Sequence, residues 1–178
     1  YLDRFGLVDH HLIAVHCVHM TEQDLELLER RKVVPVHNPK SNMKLGSGIA
    51  PVAEMLRRGI PVALGTDGSA SNDLQDMFEE MRFAALLQKV AAQDPSVISA
   101  QDVFRMATEN GAKAARIDAG TLDPGRLADL VLVDLRQPHL LPVHDIVNSL
   151  VYCAKGSDAD TVIIDGRVVM HGRRLVTM

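Results

Sequence analysis

Three short apolar runs constrain this chain most: LIAVHCV (Leu12 to Val18), VVPVHNP (Val33 to Pro39) and PVALGTDG (Pro61 to Gly68), each separated from the next by a helical pattern. Buried strands that alternate with helices pair in parallel, with helices covering the sheet, as a doubly wound sheet or a closed βα barrel. The expected fold class is therefore α/β. Between the first two runs, TEQDLELLERR opens with Thr21 as N-cap and Asp24 three residues on, the spacing of a capping box. SNMKLGSG reads as a loop. PVAEMLRRG predicts a helix with Pro51 in its first turn and Gly59 at its end. After Asp73, DLQDMFEEMRFAALLQKVAAQ places Leu74, Met77, Phe78, Met81, Ala84, Ala85 and Leu87 on one helical stripe, and Ser99 with Asp102 caps another helix, AQDVFRMATENGAKAAR. From Gly120 the texture changes. TLDPGRLADLVLVDL sets turn residues before an alternating strand, and DTVIIDGRVVMHGRRLV reads as two strands joined at Asp165-Gly166. The expected division is residues 1–119 for the βα part, and 120–178 for a small antiparallel β region with a connecting helix.

With 178 residues, 47% of them hydrophobic and 24% charged, the chain can bury a sizeable core. A net charge of −4 and scattered Lys and Arg residues leave no electrostatic footprint for nucleic acid. No apolar stretch approaches the roughly 20 residues of a membrane span, and YLDRFGLVDHH lacks the layout of a secretion signal, so the chain reads as cytoplasmic. Cys17 and Cys153, without CxxC spacing, are expected to be buried thiols. Tyr1 stands where an initiator Met is usual, and Tyr1 to Gly6 reads as the tail of a helix; a fragment is the expectation.

In VALGTDGSASND an apolar run stops at a carboxylate, Asp67. Strand alternation puts Asp67 with Gly65 and Ala63, His16 with Ala14 and Leu12, and His37 with Pro35 and Val33. Small residues accompany the polar ones, which suits a barrel interior, and all three polar residues fall at the C-terminal ends of strands, where such folds gather their ligands. Two imidazoles and a carboxylate are zinc or iron ligands, and the chemistry of such a set is metal-assisted hydrolysis. Taken singly, each has a plain structural reading: a hydrogen-bonded histidine at a strand end, and an aspartate that shapes a turn or caps a helix. His19 lies past its strand, and His10, His11, His139, His144 and His171 read as ordinary polar residues. Gly46 to Gly48 lacks the Lys-Ser/Thr that a phosphate loop needs.

AVHCVHMTEQDLELL, VPVHNPKSNMKLGSGIAPV and VALGTDGSASNDLQDMFEEMRFAALLQK together resemble the amidohydrolase superfamily. More narrowly, they resemble its cyclic-amidine deaminases and chlorohydrolases, from about Leu12 to the C-terminus. The resemblance implies the last βα units of a metal-dependent (βα)8 barrel plus part of a small antiparallel β domain. It implies one divalent metal, zinc before iron. Asp67 resembles the last-strand aspartate that binds the metal and carries the hydrolytic proton, and His16 the sixth-strand histidine that contacts the attacking water. His37 sits where the family has a histidine near the substrate pocket, and Ser71 and Asn72 would steady the loop around Asp67. The family's HxH pair and fifth-strand histidine would lie before Tyr1, which makes a C-terminal fragment of the expected chain and leaves the Leu12 to Val18 edge wanting a partner. The implied activity is hydrolytic deamination of an adenine-type nucleoside: S-adenosylhomocysteine, methylthioadenosine or 5′-deoxyadenosine. A triazine chlorohydrolase or aminohydrolase and a non-catalytic βα assembly module are the alternatives. A small-molecule substrate and a homo-oligomer are expected, with no nucleic acid or membrane as partner.

Overall fold

The computed structural model describes residues 1–176. The three apolar runs form a parallel sheet ordered β1-β2-β3, with β1 at Ile13–Val15, β2 at Val34–His37 and β3 at Ala63–Leu64. Ile13 pairs with Val34, Val15 with Val36, and Val36 in turn with Ala63. The strands are shorter than the runs that predict them. β1 stops at Val15 because His16 and Cys17 take left-handed backbone, φ 69° and 47°, which no strand accommodates.

Alternation holds, but the interior side is reversed for the first two strands. Leu12, Ala14 and Val33 pack into the helix-covered core, Pro35 and His37 are buried, and Ile13 and Val15 are 44% and 46% exposed on the open side. Ile13, Val15, Val34 and Val36 line the open face of β1 and β2, whereas Ala14 and Pro35 face the helices together with Leu12, Val33 and His37. For β3 the expectation was right: Ala63 registers with Val36, and Gly65 follows on that same side. A Cβ at Gly65 would stand 2.9 Å from Val36 Cγ1, so only glycine lets the two segments approach this closely.

The core sits between this sheet and its helices. α1 (Glu22–Arg31) begins with the Thr21/Asp24 capping box, and buries Leu25 and Leu28. SNMKLGSG is not simply a loop: α2 runs Pro39–Lys44, with the proline at its first turn, where a missing N–H costs nothing. α3 (Val52–Arg57) ends, as expected, before Gly59 at φ 75°. The long helix is split. A turn of helix, α4 (Ser69–Asn72), precedes α5 (Met77–Ala92), whose N-cap is Asp76, accepting from the N–H groups of Phe78 and Glu79. Leu74 therefore lies outside the stripe and is 68% exposed. The helix capped by Ser99 and Asp102 breaks at Thr108 into α6 (Ala100–Ala107) and α7 (Glu109–Ala115).

The second sheet is antiparallel, β4-β5-β6-β7: Leu130–Val133, Ala159–Ile164, Arg167–His171 and Arg174–Leu175. The β5–β6 turn has Asp165 at φ 48° and Gly166 at φ 73°, the positive pair that an Asp-Gly hairpin favours. β7 was not anticipated. Helix α8 (Ile146–Tyr152) is more than a connector, because Val151 joins the main core. Arg82 of α5 donates to the carbonyls of Tyr152 and Ala154 at 2.9 and 2.6 Å, satisfying orphan acceptors at the end of α8. Cys17 is half-buried, but Cys153 is exposed, against the expectation for both thiols. Among the described residues no helix is long and apolar enough to cross a membrane.

Candidate active site

Asp67 and His16 meet just beyond the C-terminal ends of β3 and β1, with His16 Nε2 3.7 Å from Asp67 Oδ2. Both side chains stay within reach of solvent, at 42% for His16 and 31% for Asp67. Both take left-handed backbone, Asp67 at φ 62°. Such conformations cost free energy in non-glycine residues and gather where the surroundings over-determine them, as at functional sites. Here the turn of the chain, not strand alternation, aims His16 at Asp67.

The surroundings are supplied largely by α2. Ser41 Oγ donates to Asp67 Oδ2 at 2.6 Å, and the Gly68 N–H donates to Asp67 Oδ1 at 2.7 Å. The Asn38 amide, oriented so that its oxygen accepts the Asp67 N–H at 3.0 Å, turns its nitrogen toward the carbonyls of His37 and Val36. These donors hold the Asp67 carboxyl below the usual carboxylate range. Ser41 has the largest effect, followed by the Gly68 N–H and Ser71, with burial opposing them weakly. Asp67 is therefore an anion at any near-neutral pH, able to bind a cation or receive a proton.

One residue along α2, Asn42 Oδ1 lies 2.8 Å from His16 Nδ1. An amide oxygen only accepts, so Nδ1 carries a hydrogen and Nε2 is the ring nitrogen turned toward Asp67. Ser41, Asn42 and Asn38 are buried and were not singled out by the sequence, because each meets its partner across the fold. Only HNPKSN, polar residues directly after an apolar strand, hinted at them.

Ser71 and Asn72, which the resemblance gives the task of steadying the loop around Asp67, lie in α4. Ser71 Oγ donates to the Gly68 carbonyl at 3.1 Å. Asn72, fully buried, donates to the Thr66 carbonyl at 2.6 Å and accepts from the Gln75 N–H at 2.9 Å. Gln75 Nε2 in turn donates to the Asp67 carbonyl at 3.2 Å. The loop is thus fixed from both sides.

His37 stands apart from this pair. It is 1% exposed on the helix-covered side of β2, and neither ring nitrogen has a hydrogen-bond partner among the described residues. Burial pushes its pKa down to about 4, with nearby His16 adding to the effect. Below about pH 6.5 the unfolded chain takes a proton that the folded one refuses until about pH 4, so stability falls as pH drops through that window, by up to about 3 kcal/mol. Urea unfolding at several pH values should show this slope and should show it flattened in His37→Phe; an unchanged slope in the variant would assign the effect elsewhere.

The donors fit a divalent ion in kind. A carboxylate oxygen and an imidazole nitrogen 3.7 Å apart can each reach one ion over the roughly 2.0–2.2 Å of zinc bonds. Among the described residues no third donor joins them. The one convergent set of three is Asp9, His10 and His11, exposed before β1 at the opposite end of the strand.

Comparison with known proteins fits this geometry. The model of the amidohydrolase family matches residues 1–169. A 5-methylthioadenosine/S-adenosylhomocysteine deaminase of Syntrophobacter fumaroxidans is 53% identical across the whole chain, and a 5′-deoxyadenosine deaminase of Methanothermobacter thermautotrophicus is 50% identical over 98% of it. The chain spans 41% of the length of each. Among solved structures, a zinc-bound adenosine deaminase from Xanthomonas campestris superposes with a TM-score of 0.97 at 41% identity, covering 99% of this chain and 41% of that one. A zinc complex of atrazine chlorohydrolase from Arthrobacter aurescens superposes at 0.94 with 30% identity, covering 99% and 40%. The family model covers both the parallel sheet with its Asp67 and His16 and most of the antiparallel one, and the chain belongs to the amidohydrolase family.

Proposed function

We propose that this chain is the C-terminal part of a metal-dependent hydrolytic deaminase, contributing the last three βα units of its barrel and part of its β domain. The substrate is an adenine-type nucleoside: S-adenosylhomocysteine, methylthioadenosine or 5′-deoxyadenosine. The observation that carries this reading is the pairing of an ionised Asp67 with Nε2 of His16 at 3.7 Å, both braced by α2. Identities near 50% to nucleoside deaminases, against 30% to the triazine enzyme, favour the nucleoside over the triazine.

Asp67 would hold the ion, zinc before iron, with donors from the rest of the protein, since a catalytic zinc takes three protein ligands. The bound ion supplies Lewis acidity, which makes water a nucleophile near neutral pH. Deamination adds water to the amidine carbon, forming a C–O bond and breaking the C–N bond to release ammonia. Asp67 receives the proton of that water and returns it to the departing nitrogen. His16, held at Nδ1 by Asn42, turns Nε2 to the water and so orients it against the ring. His37, buried behind this pair, supports the substrate pocket from the helix side.

The test is ammonia release by the full-length protein from the three nucleosides, beside chloride release from atrazine. Ammonia from a nucleoside supports the reading. Chloride release alone moves the protein to the triazine group.

A further inference from the structure

Glu80, on α5, is 0% exposed and, among the described residues, forms no ion pair; the neighbouring Lys40 ammonium pairs with Glu79. Leaving an ionisable group in an apolar helix face needs a reason, since well-packed apolar residues usually serve stability as well or better. Desolvation raises its pKa, against the hydrogen bonds that favour its anion.

Its two oxygens serve two different segments. Oε1 accepts from Asn72 Nδ2 at 2.5 Å, and Oε2 accepts from the Lys40 N–H at 3.3 Å. Asn72 fixes the Thr66 carbonyl and, through Gln75, the carbonyl of Asp67. Lys40 lies in the first turn of α2, and the next two residues, Ser41 and Asn42, hold Asp67 Oδ2 and His16 Nδ1. One buried carboxylate thus ties the loop that carries Asp67 to the helix that grips both Asp67 and His16. We propose that Glu80 is a positioning residue that sets the separation of Asp67 and His16 by docking α2 and the α4 loop to α5. This rests on the reading of Asp67 and His16 as the working pair. A carboxylate suits the task because it offers an acceptor to each of two donors, whereas glutamine would turn an NH₂ against one of them.

The experiment compares Glu80→Gln with Gln88→Met in the full-length protein. Gln88, two turns along α5, makes a buried bridge of the same kind, to the Ala50 carbonyl and the Ala53 N–H, but away from the pair. Zinc affinity by chelator competition, kcat, KM and melting temperature are measured for each. Glu80→Gln is expected to weaken zinc binding and to lower kcat, each by at least about tenfold, with KM changed far less. Gln88→Met is expected to lower only the melting temperature. If Glu80→Gln does not fold, Glu80→Asp, which keeps both acceptors but cannot span both donors, takes its place with the same expectation. Glu80 variants that match Gln88→Met in every readout overturn the inference. A wild type that binds zinc yet releases no ammonia overturns the substrate reading, and zinc affinity then decides Glu80. A wild type that binds no zinc overturns both.

Discussion

Asp67→Asn is expected to lower kcat of the full-length protein by about 10⁴-fold, the upper end of what a general acid–base group contributes. An amide is near in shape: its one oxygen can serve the Gly68 N–H while the Ser41 hydroxyl turns to accept from its NH₂, so folding should be nearly intact. What is lost is the charge. Four features of the present geometry serve that charge: the Ser41 hydroxyl at 2.6 Å, the Gly68 N–H at 2.7 Å, the nearby Ser71, and the left-handed turn that presents the carboxylate to His16. The neutral amide neither ligates a divalent ion well nor takes a proton from water. Zinc content measured beside kcat separates the two duties. A variant that remains active and metal-replete would remove Asp67 from both roles.

His16→Ala is expected to reduce kcat by at least about a hundredfold, the lower end of the same range, with smaller loss of zinc than Asp67→Asn shows. The reason is the division of labour in the pair. Asn42 holds Nδ1, so Nε2 is kept toward the space beside Asp67, and removing the ring frees the water to adopt unproductive orientations. Asn42→Ala should act in the same direction, more weakly, by releasing the ring. Wild-type rates in His16→Ala would return this histidine to a structural part, and its φ of 69° would then have no functional reason.

The chain shows unevenly what in such a fold is local and what is not. The capping boxes at Thr21 and Ser99, the Gly59 helix end and the Asp165-Gly166 turn were legible because each depends on residues a few positions apart. Asp67 was legible as a polar stop to an apolar run at a strand end. Ser41 and Asn42 were not: each reaches its partner across 26 residues, and Glu80 reaches Lys40 across 40, distances over which periodicity carries no information. The helix α2 was lost because Pro39 was read as the end of a strand when it opens a helix. The side of the sheet was reversed for β1 and β2 because small residues were assigned to a crowded interior, whereas Ala14 and Pro35 make room for the covering helices. The left-handed pair His16 and Cys17 has no signature in residue type, because neither is a glycine or asparagine. That turn decides where the histidine points.

The most direct measurement is a crystal structure of the full-length protein grown with zinc, with anomalous scattering recorded at the zinc edge. The expected result is a single strong peak about 2.0–2.2 Å from an Asp67 carboxylate oxygen, with His16 Nε2 facing the same site. Zinc bound at Asp9, His10 and His11 with none at Asp67 would contradict the assignment of this chain's chemistry to the ends of β1 and β3.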